Sequence, residues 1–94
     1  MARHATPRIE ADTWTQLTDA NVTAITFQNL AVTGVHIMAT VGAVAPTNFA
    51  GAVFYAGGHG EYALPLADLA PGLAATRVYC YSPGKAANVA VSHA

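Results

Sequence analysis

The sequence predicts an all-β chain: a compact six- to seven-stranded antiparallel β-sandwich or small barrel with an extended N-terminal arm. Apolar residues recur with period two in several segments, the signature of half-buried strands. Clusters of Gly, Pro and Asn separate those segments at spacings of about ten residues, as sandwiches and barrels require. Neither a 3.6-residue stripe nor an internal repeat competes with that pattern.

Residues 1–12 contain Arg3, Arg8 and Pro7 but no periodic apolar pattern, so they read as an extended arm ordered by a neighbour. The domain proper is expected over 13–94. Its first strand is 14–17, ended by the turn-prone Thr18-Asp19-Ala20-Asn21. In 22–30, Ile25 and Phe27 share one face while Thr26 and Gln28 take the other. In 32–41, Val35, Ile37, Ala39 and Val41 alternate with Gly34, His36, Met38 and Thr40, which makes this the clearest strand.

Residues 42–50 combine Gly42, Pro46 and Asn48, which predicts a loop crossing from one sheet or edge to the next. Residues 51–56 are rich in β-formers, and Gly57-Gly58-His59-Gly60 reads as a tight hairpin turn into a strand at 61–66. Pro65 donates no ladder hydrogen bond, so that strand lies at an edge or ends there. Residues 67–72 form a turn with room for one turn of helix. In 75–82, Arg77, Tyr79 and Tyr81 oppose Thr76, Val78 and Cys80. After a turn at Pro83-Gly84-Lys85, the last strand, 88–93, points Val89 and Val91 inward.

A chain of 94 residues supports one core. Its charged fraction is 10%, against roughly 25% in an average soluble domain. From Asn21 to Gly60 there is no Asp, Glu, Lys or Arg at all, so much of that span is expected to be buried or covered by a partner. Thr, Asn, Gln, His and Gly interrupt every apolar run before it reaches membrane-spanning length. A net charge of −1 with four basic residues leaves no patch for a nucleic-acid backbone. The single cysteine, Cys80, permits no intrachain disulfide. The N-terminus lacks the apolar stretch of a secretory signal, so synthesis in the cytoplasm is expected, and the Asn21-Val-Thr sequon carries no weight.

The search for chemistry yields no catalytic, metal-binding or cofactor-binding set. His4, His36, His59 and His93 match no metal-ligand spacing with one another or with Cys80. Cys80, flanked by Tyr79 and Tyr81, reads as a small buried hydrophobe. Ser82 and Ser92 lack an acid and histidine at recognisable spacing, and Glu61 and Asp68 have little cleft to face across. No enzyme is expected. The aromatic residues carry more weight, because a large rigid ring with a polar tip anchors protein interfaces and stacks on sugars. Trp14 and Phe27 read as core. Tyr55, Tyr62, Arg77, Tyr79 and Tyr81, with Arg3 and Arg8 on the arm, are the candidate interface residues.

Five stretches carry a resemblance: Val22-Thr-Ala-Ile-Thr-Phe-Gln-Asn-Leu, His36-Ile-Met-Ala-Thr-Val-Gly, Ala45-Pro-Thr, Leu69-Ala-Pro-Gly and Arg77-Val-Tyr-Cys-Tyr. Across 14–94 the chain resembles small virion structural proteins of tailed bacteriophages. The resemblance implies a β-rich capsid decoration or cement protein, a homotrimer on the major capsid protein, made in the bacterial host cytoplasm and located in the virion. It brings no catalytic residues. The alternative expectation is an adhesion or carbohydrate-binding module on a tail fibre or baseplate, using the Arg77, Tyr79 and Tyr81 stripe.

Overall fold

A computed structural model describes residues 2–94. The described residues form nine strands and one helical turn: β1 (Arg3–Ala5), β2 (Arg8–Ile9), β3 (Thr15–Gln16), β4 (Ala24–Asn29), β5 (Val35–Thr40), β6 (Val53–Tyr55), β7 (Gly60–Pro65), α1 (Leu66–Leu69), β8 (Arg77–Tyr81) and β9 (Ala87–His93). They make two antiparallel sheets, β1-β9-β4-β7 with β2 also on β9, and β3-β8-β5-β6. The seven strands expected from residue 13 onward are all present, so the chain is an antiparallel β-sandwich.

The pairs nest from the outside inward: β1 with β9, β3 with β8, β4 with β7, β5 with β6. That nesting, wrapped into two facing sheets, is a jelly roll. Side-chain parity then builds the core without further instruction. Ile25 and Phe27 on β4 and Val89 and Val91 on β9 face Val35, Ile37 and Ala39 on β5 and Val78 and Cys80 on β8. Each fully buried aliphatic side chain contributes roughly 1.5–3 kcal/mol. Pro65 starts α1 at φ −63°, a conformation its ring already imposes, and the single turn lays Leu66 and Leu69 into the same core.

Residues 2–12 are extended, as expected, but they lie on their own domain. Arg3 pairs with His93 and Ala5 with Val91, and the same register resumes with Arg8 opposite Asn88. β1 and β2 are thus one edge strand interrupted at Thr6-Pro7. Ile9 is fully buried in the core, and the Asp12 carboxylate accepts the Gly84 N–H at 2.9 Å. Beyond Met1 the sequence offers one large apolar residue here, Ile9, too few to show a period.

Two connections are the reverse of those expected. Residues 41–52 do not cross between sheets, because β5 and β6 pair directly, Val35 with Tyr55 and Ile37 with Val53. The Gly57–Gly60 turn is not a hairpin, because β6 and β7 lie in different sheets. Asn29 fixes that crossing. Its backbone N–H donates to the His59 carbonyl and its own carbonyl accepts the Gly58 N–H, both at 2.8 Å. Gly57 and Gly60 are small because backbone passes over them; a Cβ on Gly57 would sit 2.6 Å from the Ala31 carbonyl oxygen.

The Asn29 side chain, 0% exposed, completes the joint. Its amide nitrogen donates to the Thr33 carbonyl at 2.8 Å and reaches the Tyr55 and Ala56 carbonyls at 3.3 and 3.4 Å, while its oxygen accepts the Ala31 N–H at 3.0 Å. An apolar side chain there would leave buried carbonyls and an N–H unsatisfied, at about 1–3 kcal/mol each where water cannot enter. Asn29→Leu is therefore expected to lose about 2–4 kcal/mol of stability in urea denaturation. Ile9→Ala, which empties a core position supplied by the N-terminal segment, is expected to lose about 2–4 kcal/mol by the same measurement; no loss would mean that the segment does not contribute to the fold.

Candidate functional site

The outer face of the β3-β8-β5-β6 sheet carries a cluster of rings. β5 and β8 lie side by side with His36 opposite Tyr81 in register, and both side chains point away from the core. β6 adds Phe54 opposite His36. Trp14 enters from the residue before β3, and Phe49 folds back from the 41–52 loop.

Phe49 bridges the group, with ring centroids 5.3 Å from Trp14, 4.8 Å from Tyr81 and 4.9 Å from His36. Trp14 lies 5.3 Å from Tyr81, and His36 lies 5.1 Å from Phe54. These are tilted or edge-to-face pairs, each worth about 0.5–1.5 kcal/mol beyond the area it buries. The loop is shaped locally for this return. Asn48 Oδ1 accepts the Ala50 N–H at 3.0 Å, Ala52 N–H donates to the Phe49 carbonyl at 3.0 Å, and Gly51 takes φ +85° between them. At its base, Gly42 N–H donates to Thr76 Oγ1 at 2.9 Å, which ties the loop to the residue before β8.

The cluster is ordered yet incompletely covered. Phe49 is 47% exposed and Phe54 57%, and Val41, Val44 and Val53 beside them in sequence are exposed as well. Exposed apolar side chains such as Phe49 and Phe54, grouped on one face, mark interaction sites on soluble domains. The charge-free span 21–60 supplies all of it except Trp14 and Tyr81.

The residues singled out from the sequence do not converge on one face. Arg3 and Arg8 lie on the edge of the other sheet, Arg8 in an exposed ion pair with Glu10 at 3.0 Å. Tyr62 stands almost free on β7. Tyr55 packs its ring edge-on against Phe27 and donates its hydroxyl to Glu61 at 3.2 Å. Arg77 is engaged inside the chain, donating to Asn21 Oδ1 at 2.8 Å and Gln16 Oε1 at 3.2 Å. Tyr79 is buried, held between Gln16 on β3 and Met38 on β5. Of the Arg77, Tyr79 and Tyr81 stripe, only Tyr81 joins the cluster. His36, Phe49, Phe54 and Trp14 are its unforeseen members. Trp14, read as core, lies on the outside, whereas Phe27 is core as expected.

The polar groups are arranged for structure. His93 is buried, with Nε2 3.2 Å from the Asp19 carboxylate. Ser82 donates to the Lys85 carbonyl. His4 Nδ1 and Ser92 Oγ lie 2.7 Å apart, but on an open sheet face, and no hydrogen bond orients the far ring nitrogen among the described residues. No group of three or more His, Cys, Asp or Glu side chains within the described residues could hold a metal ion. Comparison with known proteins adds no assignment: no family model, curated protein or solved structure matches the chain.

Burial pushes the Cys80 thiol up to about 12, from an ordinary value of 9.0. The folded chain therefore keeps a proton that the unfolded chain releases, and the stability linked to it is complete below pH 9.0 and falls as pH rises toward about 12. Burial, followed by the Glu61 carboxylate, likewise raises the Tyr55 phenol from 10.0 to about 12. Native protein at pH 8 is expected to resist thiol reagents, and Cys80→Ala should flatten the alkaline fall in stability specifically between the thiol and phenol onsets. Urea midpoints measured across that range, with thiol titration, check both outcomes.

Proposed function

We propose that this chain is a non-catalytic structural protein of a tailed-phage virion, a decoration or cement protein that docks on other virion proteins, the major capsid protein foremost. The observation that carries the docking reading is the cluster on the outside of one sheet in which half-buried Trp14, His36 and Tyr81 support exposed Phe49 and Phe54. Aromatic residues at the centre of a patch, free of charge, are the composition of interface hot spots. The virion assignment rests on the resemblance of 14–94 to small phage structural proteins. The jelly roll agrees with it by analogy, since viral capsid domains use that architecture, although lectins do as well.

The mechanism is burial of area. A decorating protein of this kind gains affinity from rings seated in a partner's pockets and repeats that contact over the shell. The stripe proposed for glycan binding gives this alternative little support, with Tyr79 buried and Arg77 engaged. Mass spectrometry of purified virions is expected to find the chain at hundreds of copies per particle. Phe49→Glu, which places a charge at the centre of the cluster, should reduce that number at least tenfold, while the isolated chain, having lost three ring contacts, melts several degrees lower but stays folded at the assembly temperature. Full occupancy with Phe49→Glu would remove the aromatic face from the docking role, and a handful of copies in the wild type would move the protein to the tail.

A further inference from the structure

The sandwich has four edges, and three are protected. β7 carries Glu61 and Pro65 and is broken by a bulge, in which Tyr62 and Ala63 oppose Thr26 alone and Ala63 takes φ +49°. β1 and β2 carry Arg3 and Arg8 and are interrupted at Pro7. β3 is two residues long. Charges, prolines, bulges and brevity are the devices by which sheet edges avoid pairing with other chains. β6 carries no charge, proline or bulge: Val53, Phe54 and Tyr55 are flanked by Ala52 and Ala56.

Val53 shows what that edge lacks. It pairs with Ile37, a fully buried core residue, so its side chain points into the sandwich, yet it is 39% exposed. Tyr55, two residues on, is covered by Phe27 and tied to Glu61 on β7, which closes the gap between the sheets there. At Val53 the gap stays open. What fits is an extended strand, which would pair with the free backbone groups of β6 and lay an apolar side chain over Val53.

We propose that this strand is β6 of a second copy, paired antiparallel about a two-fold axis to join two four-stranded sheets into one of eight strands. A two-fold brings identical surfaces together, and it is tolerated electrostatically because no residue from 21 to 60 is charged. Pairing of identical edges makes a dimer, so the pair, and not the expected trimer, is the unit this edge builds. β6 is three residues long, so its pairing with a second copy buries well under the roughly 800 Å² per partner of a standard interface. The dimer therefore dissociates on dilution. It does not depend on the aromatic face docking to a shell.

Sedimentation equilibrium of the full chain over a dilution series tests this. Wild type is expected to show a concentration-dependent monomer–dimer equilibrium, Val53→Lys to weaken it at least tenfold, and Val53→Thr to retain it, with both variants melting within a few degrees of wild type. With the two-fold axis at Val53, Val53→Cys is expected to form an interchain disulfide under mild oxidation, whereas Tyr62→Cys on the guarded β7 edge is not; buried Cys80 does not compete. A wild type monomeric at every concentration would overturn the proposal. So would a dimer that survives Val53→Lys but is lost with Phe49→Glu, a result that would instead place the contact on the aromatic face.

Discussion

The fold turns on one buried amide. Asn29 ends β4 in one sheet, and its side chain holds the carbonyls of Tyr55 and Ala56 at the end of β6 in the other. Its backbone captures the Gly58–His59 turn that carries the chain back. Hydrophobic contact between two sheets is non-directional and would tolerate sliding or rotation. A fully buried amide whose hydrogen bonds end on named carbonyls does not, because each misaligned bond would leave a desolvated group unpaired. Asn29 thereby sets which end of β6 meets which end of β4.

That joint explains why the surfaces differ. The jelly-roll wrapping sends most connections between the sheets, which leaves the β5 to β6 link as a long loop within a single sheet. The loop folds over the outer face and brings Phe49 onto Tyr81 and His36. On the opposite sheet the outward side chains of β4 and β9 spend their polar groups internally: Gln28 on the Gly58 carbonyl, Thr26 on the Ala63 N–H, Ser92 on His4. One face thus satisfies its polar groups internally and the other is aromatic, a division created by connectivity.

Strands and core were legible because period two is written residue by residue: Ile25 and Phe27, Val35 and Ile37, and Val78 and Cys80 all fall on the predicted inner faces. Connections were not legible. Gly57-Gly58-His59-Gly60 specifies a local reversal but not the sheet that the next strand joins, which depends on Asn29, nearly thirty residues earlier. The N-terminal strand escaped notice because its partner, β9, lies at the far end of the chain and its interior face amounts to Ile9. Tyr79 had the right parity and the wrong exposure, since it lies on a central strand between Gln16 and Met38. The cluster was half legible: His36 and Tyr81 sit on outward positions, whereas Phe49 gave no signal in a segment of Pro, Thr and Asn.

The charge-free span from Asn21 to Gly60 now divides into parts with different causes. Its β4 and β5 segments lack charge because alternate residues are core and the outward ones are small or packed among rings. From Val41 to Phe54 that reason fails, since Val41, Val44, Phe49, Val53 and Phe54 are all exposed and a lysine or glutamate would fold there at little cost. Folding alone leaves the composition of this stretch free. Contact with another surface does not, because a charge at its centre would have to be desolvated without a partner. A docking surface of the kind proposed would account for the neutral stretch, which folding alone does not.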